Sequence, residues 1–326
     1  MAWLSALLLL APLSAVRAET CAGKNLLPEL RQSGKLAALE AASAGTPDGE
    51  GKFYRIDRPG EPASFLYGTM HLSDPRLDLV PAARTAFGAA EALVIETTDA
   101  LDPATTGAMM LARPDLLYLP PGRKLRDILT GPQATAVTAQ LEKLGVPAAS
   151  VETLQPWFVA VSLMLPACET ARLAQGEKPL DLGLAAEAKA AEKKVLGLES
   201  GGEQLEALAS MTMDLQVASL VSTLALGDRL PDLFETMTQL YLEGRIALIS
   251  PLVEVLMPPG SAALAREAGA FEQRLITDRN HRMAERLAPL LRPGGVFVAV
   301  GALHLPGDEG LVALLRAQGY RLTRLD

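Results

Sequence analysis

The apolar and polar positions along this chain predict short strands separated by helices. Residues 52–69 contain two alternating runs on either side of RPGE, a pattern typical of a β-hairpin. Two short continuous apolar runs, residues 92–96 (ALVIE) and 195–199 (VLGLE), are typical of strands buried on both faces. Residues 294–305 and 320–325 have the composition of two further strands.

The segments between these strands predict helices. Short helices are expected in residues 26–43, another begins near Pro81, and residues 104–175 are mostly helical. Residues 178–194 predict a helix with Asp181 as its N-cap. A large helical insert is expected at about 202–290, and a short helix near 309–318.

Strands that alternate with helices imply an α/β fold, with a mixed central sheet, flanking helices and the helical insert.

The N-terminus has the features of a targeting segment. Residues 1–18 have an apolar run and a small-residue cleavage site typical of a signal peptide, which would leave a single domain at 19–326. The alternative is a buried N-terminal helix. A signal peptide predicts a secreted, periplasmic protein, and no later stretch is apolar enough to predict a transmembrane anchor.

Charge and cysteine content narrow the class of protein further. The formal net charge of −8 and the absence of clustered Lys and Arg argue against a nucleic-acid partner. The chain has two cysteines, Cys21 and Cys168. An oxidising compartment permits a disulfide between them, and the alternative is two buried free thiols.

A weak internal repeat points to candidate chemistry. The chain has three histidines, and two of them, His71 and His304, follow an apolar strand and the sequence Gly-x-x. Two glutamates, Glu96 and Glu199, end the two buried strands. The order predicts two pseudo-symmetric halves, each with one imidazole and one carboxylate at a strand end.

Strand ends in α/β sheets open onto the crevice where ligands bind, and glycine lets the backbone approach closely there. Neutral imidazole and carboxylate together bind divalent ions such as Zn, Mn, Fe or Co. A single Gly-x-x-His is more often structural, but two copies that account for two of three histidines favour a site.

Three other residues near these motifs have structural alternatives. Arg279 either points at a carboxylate, of a substrate or of Glu199, or forms an ion pair that stabilises the fold. His281 lies in a polar run and is expected at the surface. Asp99 could be an extra ligand, although an exposed loop acid is the commoner case.

These motifs resemble the TraB/GumN family, whose animal relatives include the Tiki proteins, over nearly the whole chain after the predicted signal peptide. The family mark is two Gly-x-x-His motifs with a glutamate between them. Here these are Gly68 with His71, Glu96, and Gly301 with His304. Two further segments also look like family segments, and they contain Glu199, Gln204, Arg279 and Asn280.

The resemblance implies a fold shared with Tiki, erythromycin-esterase-like and ChaN-like proteins, and activities that differ among them. Tiki-like members are metal-dependent proteases with His and Glu ligands, and ChaN-like members bind haem. The expected function is a secreted metal-dependent hydrolase that acts as a peptidase, with His71, Glu96 and His304 as ligands. Glu199 would be the general base or a fourth ligand, and Arg279 would stabilise an oxyanion. The alternatives are a non-catalytic haem or metal carrier and an accessory protein of exopolysaccharide assembly. The metal, the substrate and the oligomeric state stay open.

Overall fold

A computed structural model describes residue 21, residues 23–256, residue 269 and residues 272–326. The predicted signal peptide therefore lies outside the described residues. One sheet contains the six strands, which are β1 (Phe53–Asp57), β2 (Ser64–Thr69), β3 (Ala92–Ile95), β4 (Lys194–Gly197), β5 (Val296–Gly301) and β6 (Arg321–Arg324).

The strand order is β4-β3-β5-β2-β1-β6, and the sheet is mixed, as predicted. β1 and β2 form the expected antiparallel hairpin, and β6 pairs antiparallel with β1. β2 also pairs parallel with β5, and β4, β3, β5 and β2 all run parallel to one another. Parallel neighbours require crossover connections, and the intervening helices supply them.

Seventeen α-helices have their bounds among the described residues. In the first half they are α1 (Leu27–Gln32), α2 (Lys35–Ser43), α3 (Pro81–Ala89), α4 (Pro103–Ala112), α5 (Pro114–Leu117), α6 (Leu125–Ile128), α7 (Gly131–Lys143), α8 (Ala148–Val151) and α9 (Pro156–Met164). In the second half they are α10 (Ala167–Ala174), α11 (Leu180–Ala190), α12 (Gly201–Ala209), α13 (Met213–Leu226), α14 (Leu230–Leu242), α15 (Ile249–Leu256), α16 (Asp278–Leu291) and α17 (Leu311–Ala317).

Helices cover both faces of the sheet, because alternate residues of a strand point to opposite sides. On one face Phe297 of β5 packs with residues of α3 and α11, and on the other Val298 packs with Met283 and Leu287 of α16. α16 therefore covers one face of the sheet, although most of its residues lie in the helical insert predicted at about 202–290. α17 packs with α16 on this second face, and most of the other helices contribute to two further apolar clusters away from the sheet.

β4 differs from the prediction of a strand buried on both faces. Its two ends, Lys194 and Gly197, are exposed, and Val195 and Leu196 are half-buried. The reason is position, since β4 pairs with β3 alone and forms one edge of the sheet. A lysine on an edge strand is a common protection against further strand pairing.

Within the described part of the chain, no single helix is long and apolar enough to cross a membrane. Two sharply bent helix pairs, α9 with α10 and α12 with residues 213–242, meet the criterion of length and composition when joined.

Candidate functional site

The four residues that the repeat singles out lie at one edge of the sheet. β2, β3, β4 and β5 are parallel, so their carboxyl ends meet there. Glu96 directly follows β3, and His71, Glu199 and His304 follow the other three strands within two or three residues. This edge is where α/β folds bind ligands.

His71, Glu96 and His304 converge on one point. His71 Nε2 lies 3.4 Å from Glu96 Oε1, and His304 Nε2 lies 3.7 Å from the same oxygen. Glu96 and His304 are buried, and His71 is mostly buried. Glu96 thus contacts both histidines, so the two predicted half-sites are not equivalent, and the pseudo-symmetry of the halves is not established.

Two glycines allow this close packing. A Cβ on Gly301 would stand 3.1 Å from both Glu96 Oε1 and His71 Nε2. A Cβ on Gly68 would stand 2.9 Å from the Cα of Ala302, at the point where β2 and β5 run side by side. Gly301 therefore leaves the space in which the imidazoles and the carboxylate meet, and Gly68 lets the backbone at Ala302 approach β2.

Asn280 fixes the tautomer of His304. The Nδ1–H of His304 donates to Asn280 Oδ1 at 2.7 Å, while the Asn280 amide donates to the backbone carbonyl of Glu309. The amide orientation follows from these two bonds, and it leaves His304 Nε2 with its lone pair toward Glu96. Burial lowers the pKa of His304 to about 3, so the ring is neutral.

Asp181 contacts the other histidine, and this position corrects the sequence prediction. α11 begins at Leu180 after Pro179, so Asp181 is inside the helix and is not its N-cap. Its Oδ1 lies 3.2 Å from His71 Nδ1. Burial favours the neutral imidazole, but the carboxylates of Asp181 and Glu96 outweigh it and raise the pKa of His71 to about 9.

Glu96 is an ionised carboxylate held from both sides. Oε1 accepts the backbone N–H of Gly301 at 2.7 Å, and Oε2 accepts from Arg279 at 2.6 Å and from the Gln204 amide at 3.2 Å. Burial alone would raise the pKa of Glu96, but Arg279 and His71 outweigh burial and hold this pKa well below its usual range.

Arg279 bridges the two glutamates. Its guanidinium lies 2.6 Å from Glu96 and 2.8 Å from Glu199, and it also donates to the carbonyl of Leu275 in a π-helical turn, Gln273–Thr277. Glu199 has no exposed side-chain surface, and its other oxygen faces Arg282 at 3.2 Å. The carboxylate of Glu199 is thus occupied by two arginines.

The donor atoms of His71, Glu96 and His304 have separations close to those in a metal site. Among the described side chains, no group of three or more His, Cys, Asp and Glu residues forms a ready metal site. Bonds near 2.1 Å in a tetrahedral site place ligand atoms roughly 3.4 Å apart. The 3.4 and 3.7 Å separations at Glu96 Oε1 are close to that value. Two nitrogens and one carboxylate oxygen therefore fit a divalent ion after small adjustments.

The remaining candidates lie outside this cluster. His281 is exposed, as predicted, and pairs with Glu309. Asp99 accepts the backbone N–H of Gly201 at the start of α12, so it binds a helix end. Asp181 and Arg282 were not foreseen as site residues, because nothing in their local sequence distinguishes them from ordinary helical charges.

The part of the chain that matches known proteins contains the residues of this site. The TraB/PrgY/gumN family matches residues 53–324, which include every residue of the cluster. Two curated relatives are 27% identical over 307 residues covering 80% of this chain. They are the metalloprotease TIKI2 of Xenopus tropicalis and the metalloprotease TIKI1 of Danio rerio. The metalloprotease TIKI1 of Homo sapiens is 25% identical over 306 residues.

The chain spans less than two thirds of these relatives, at 57%, 61% and 60% of their respective lengths. No solved structure matches the chain.

Proposed function

The chain belongs to the TraB/PrgY/gumN family, and from this premise and its site geometry we propose that it is a metal-dependent hydrolase acting on peptides. One observation carries the proposal: the Nε2 atoms of His71 and His304 both face the same oxygen of Glu96. Relatives named metalloproteases support the reaction class.

His71, His304 and Glu96 would hold the ion. Both imidazoles present Nε2 to the site. Glu96 is ionised and His304 is neutral, which are the protonation states that a metal requires. His71, whose pKa is raised to about 9, must release its Nε2 proton when the metal binds. A divalent ion in such a site supplies Lewis acidity and lowers the pKa of bound water. Three protein ligands are the usual number in catalytic sites of this kind.

Arg279 would place positive charge beside the reacting carbonyl. The residue is held by Glu96, Glu199 and the Leu275 carbonyl, so its guanidinium is fixed before a substrate arrives. A fixed charge stabilises a developing oxyanion without reorganisation during the reaction. Arg279 also keeps Glu96 ionised.

Glu199 has a different role in this proposal from the general base expected from sequence. A general base must lie within hydrogen-bond reach of the proton that it takes. The Glu199 carboxylate is unexposed and bound by Arg279 and Arg282, so we assign it to positioning Arg279. Its role as a base or a fourth ligand stays a prediction for the experiments below.

We also propose that the protein acts after export. Cys21 and Cys168 are paired, with their Cα atoms 5.2 Å apart. Disulfides persist in oxidising compartments, which supports the signal peptide and a periplasmic location.

The site argues against a haem carrier that uses the two histidines as axial ligands. In such a carrier the iron and the porphyrin lie between the two nitrogens. Here both nitrogens lie within 4 Å of Glu96 Oε1, and even a Cβ on Gly301 would stand only 3.1 Å from that oxygen and from His71 Nε2, so the space beside them is too small for a porphyrin. A non-catalytic metal carrier and an accessory role in polysaccharide assembly remain alternatives that activity measurements would separate.

The experiment is metal content and peptide cleavage measured together on protein purified without chelator. His71→Ala and His304→Ala should each lose both bound metal and cleavage, because each removes a ligand. His281→Ala is the matched control, since it removes the third histidine from an exposed position, and it should change neither.

Two results would contradict the proposal. Unchanged metal content in His71→Ala would remove the ligand assignment. Stoichiometric metal in the wild type with no cleavage across a broad panel of peptides and esters would favour the carrier.

A further inference from the structure

We infer that Asp181 is the positioning residue of His71, orienting its ring and fixing its tautomer so that Nε2 faces the site. This inference deepens the proposed function and rests on it for the consequence for metal affinity. Asp181 lies 110 residues after His71 in sequence, and no motif of the chain connects the two.

The contact is between two otherwise unpaired buried atoms. His71 Nδ1 and Asp181 Oδ1 lie 3.2 Å apart, each is inaccessible to solvent, and neither has the geometry of a hydrogen bond with any group in the described chain, so each is the other's available partner after a small rotation of either side chain. The side chain of Asp181 is 9% exposed. A buried carboxylate needs compensation for its lost hydration, and His71 Nδ1, at 3.2 Å from that oxygen, can supply it.

A purely structural role for Asp181 has little support. The N-cap position of α11 belongs to Pro179, and the helix has no side-chain cap. Asp181 is in the first turn, where a negative charge is favourable, but an exposed acid would serve the helix dipole equally well. Burial beside an imidazole is what distinguishes Asp181 from other first-turn acids.

The two histidines consequently have partners of different charge. His304 donates its Nδ1–H to the neutral amide of Asn280, whereas His71 faces the carboxylate of Asp181. A ligating histidine whose other nitrogen donates to a carboxylate has a fixed ring and a more basic ligand atom. His71 would therefore be the stronger of the two nitrogen ligands.

The test uses Zn²⁺ as the probe and compares the wild type with Asp181→Asn, which keeps the shape and removes the charge. Zn²⁺ affinity is measured by competition with a chromophoric chelator. The matched control is Asp214→Asn, an exposed acid in the first turn of α13. Loss of a carboxylate behind a ligand lowers metal affinity by roughly 10- to 100-fold, and we expect that loss in Asp181→Asn alone.

A second measurement does not depend on metal. The chain has three histidines, so the imidazole N–H resonances can be assigned with His281→Ala and His304→Ala. In metal-free wild-type protein, the Nδ1–H of His71 should give a downfield resonance that exchanges slowly with water. That resonance should be lost or shifted upfield in Asp181→Asn and unchanged in Asp214→Asn.

The two readouts separate failure of this inference from failure of the proposed function. An unchanged His71 resonance, or unchanged Zn²⁺ affinity in Asp181→Asn, would overturn the role of Asp181. A wild type that binds neither Zn²⁺ nor Mn²⁺, Co²⁺ or Fe²⁺ but loses the resonance in Asp181→Asn would overturn the metal site and support the contact between Asp181 and His71.

Discussion

Two histidines in the same Gly-x-x-His motif have opposite electrostatic environments in this protein. The pKa of His71 is raised to about 9 and that of His304 is lowered to about 3. The motif predicts that both stand at strand ends, which is correct. It does not predict their partners, because Asp181 and Asn280 come from α11 and α16 and reach the site through tertiary packing.

The role of Glu199 is testable through its coupling to Arg279. If Glu199 positions Arg279, then Glu199→Gln and Arg279→Lys remove the same interaction. Each should lower kcat/KM for a cleaved peptide, and the double variant should cost little more than the worse single one. Both single variants should keep bound metal, since neither residue is a proposed ligand.

The contrary result would restore the expectation from sequence. A general base contributes roughly 10²- to 10⁴-fold, so a loss of that size in Glu199→Gln, additive with Arg279→Lys, would identify Glu199 as the base. Loss of metal from Glu199→Gln would identify it as a fourth ligand.

Gly301 offers a steric test of the shared site. Its backbone has φ of −53°, which any residue adopts, so Gly301→Ala brings a clash and no backbone strain. The new methyl would stand 3.1 Å from both Glu96 Oε1 and His71 Nε2, so these groups must separate. We expect metal affinity to fall at least tenfold while the fold is retained, measured by chelator competition and circular dichroism.

Gly183→Ala is the matched control for this substitution. Gly183 lies inside α11, and a Cβ there meets no atom within 4 Å. Alanine should raise the free energy of unfolding by about 1 kcal/mol, because glycine is the poorer helix former, and leave metal affinity unchanged. Equal metal affinity in both alanine variants would show that Gly301 does not border the ligands.

At the scale of elements, the hydrophobic pattern predicted which segments are strands but not the place of each strand in the sheet. The short apolar run of β4 has the composition of a central strand, yet β4 is an edge. Strand order depends on crossover connections, which leave little trace in local composition. The glutamates after β3 and β4 were correctly placed at one sheet edge, because parallel strands align their carboxyl ends.

The pseudo-symmetry of the two halves is a prediction that the strand order does not confirm. The sequence order His71, Glu96, Glu199, His304 is symmetric, but β5 lies between β3 and β2, so Glu96 is next to both histidines. Glu199 follows the edge strand β4 and contacts arginines instead. The two glutamates of the sequence repeat therefore have different surroundings, histidines around Glu96 and arginines around Glu199.

At the scale of the whole molecule, the disulfide connects the start of the described chain to the site region. Cys168 lies in α10, and the next residue, Glu169, accepts the backbone N–H of Ser73 at 2.6 Å. Ser73 is two residues after His71. Leu180, the first residue of α11, donates its backbone N–H to the carbonyl of Leu72, the residue after His71. The loop that carries His71 is therefore held by α10 and α11, and the disulfide anchors α10.

The double variant Cys21→Ser with Cys168→Ser tests the contribution of this bond. The two cysteines are 147 residues apart in sequence, and removing a native disulfide typically costs roughly 2–5 kcal/mol, because the unfolded chain regains its freedom. We expect a loss in that range for the free energy of unfolding in urea, with both proteins metal-free. Reductant should lower the stability of the wild type to that of the variant and leave the variant unchanged.

Equal urea midpoints for the oxidised wild type and the variant would show that the pairing adds no stability. A larger loss, with the metal affinity of the folded variant also reduced, would show that α10 holds His71 through Glu169 and Ser73.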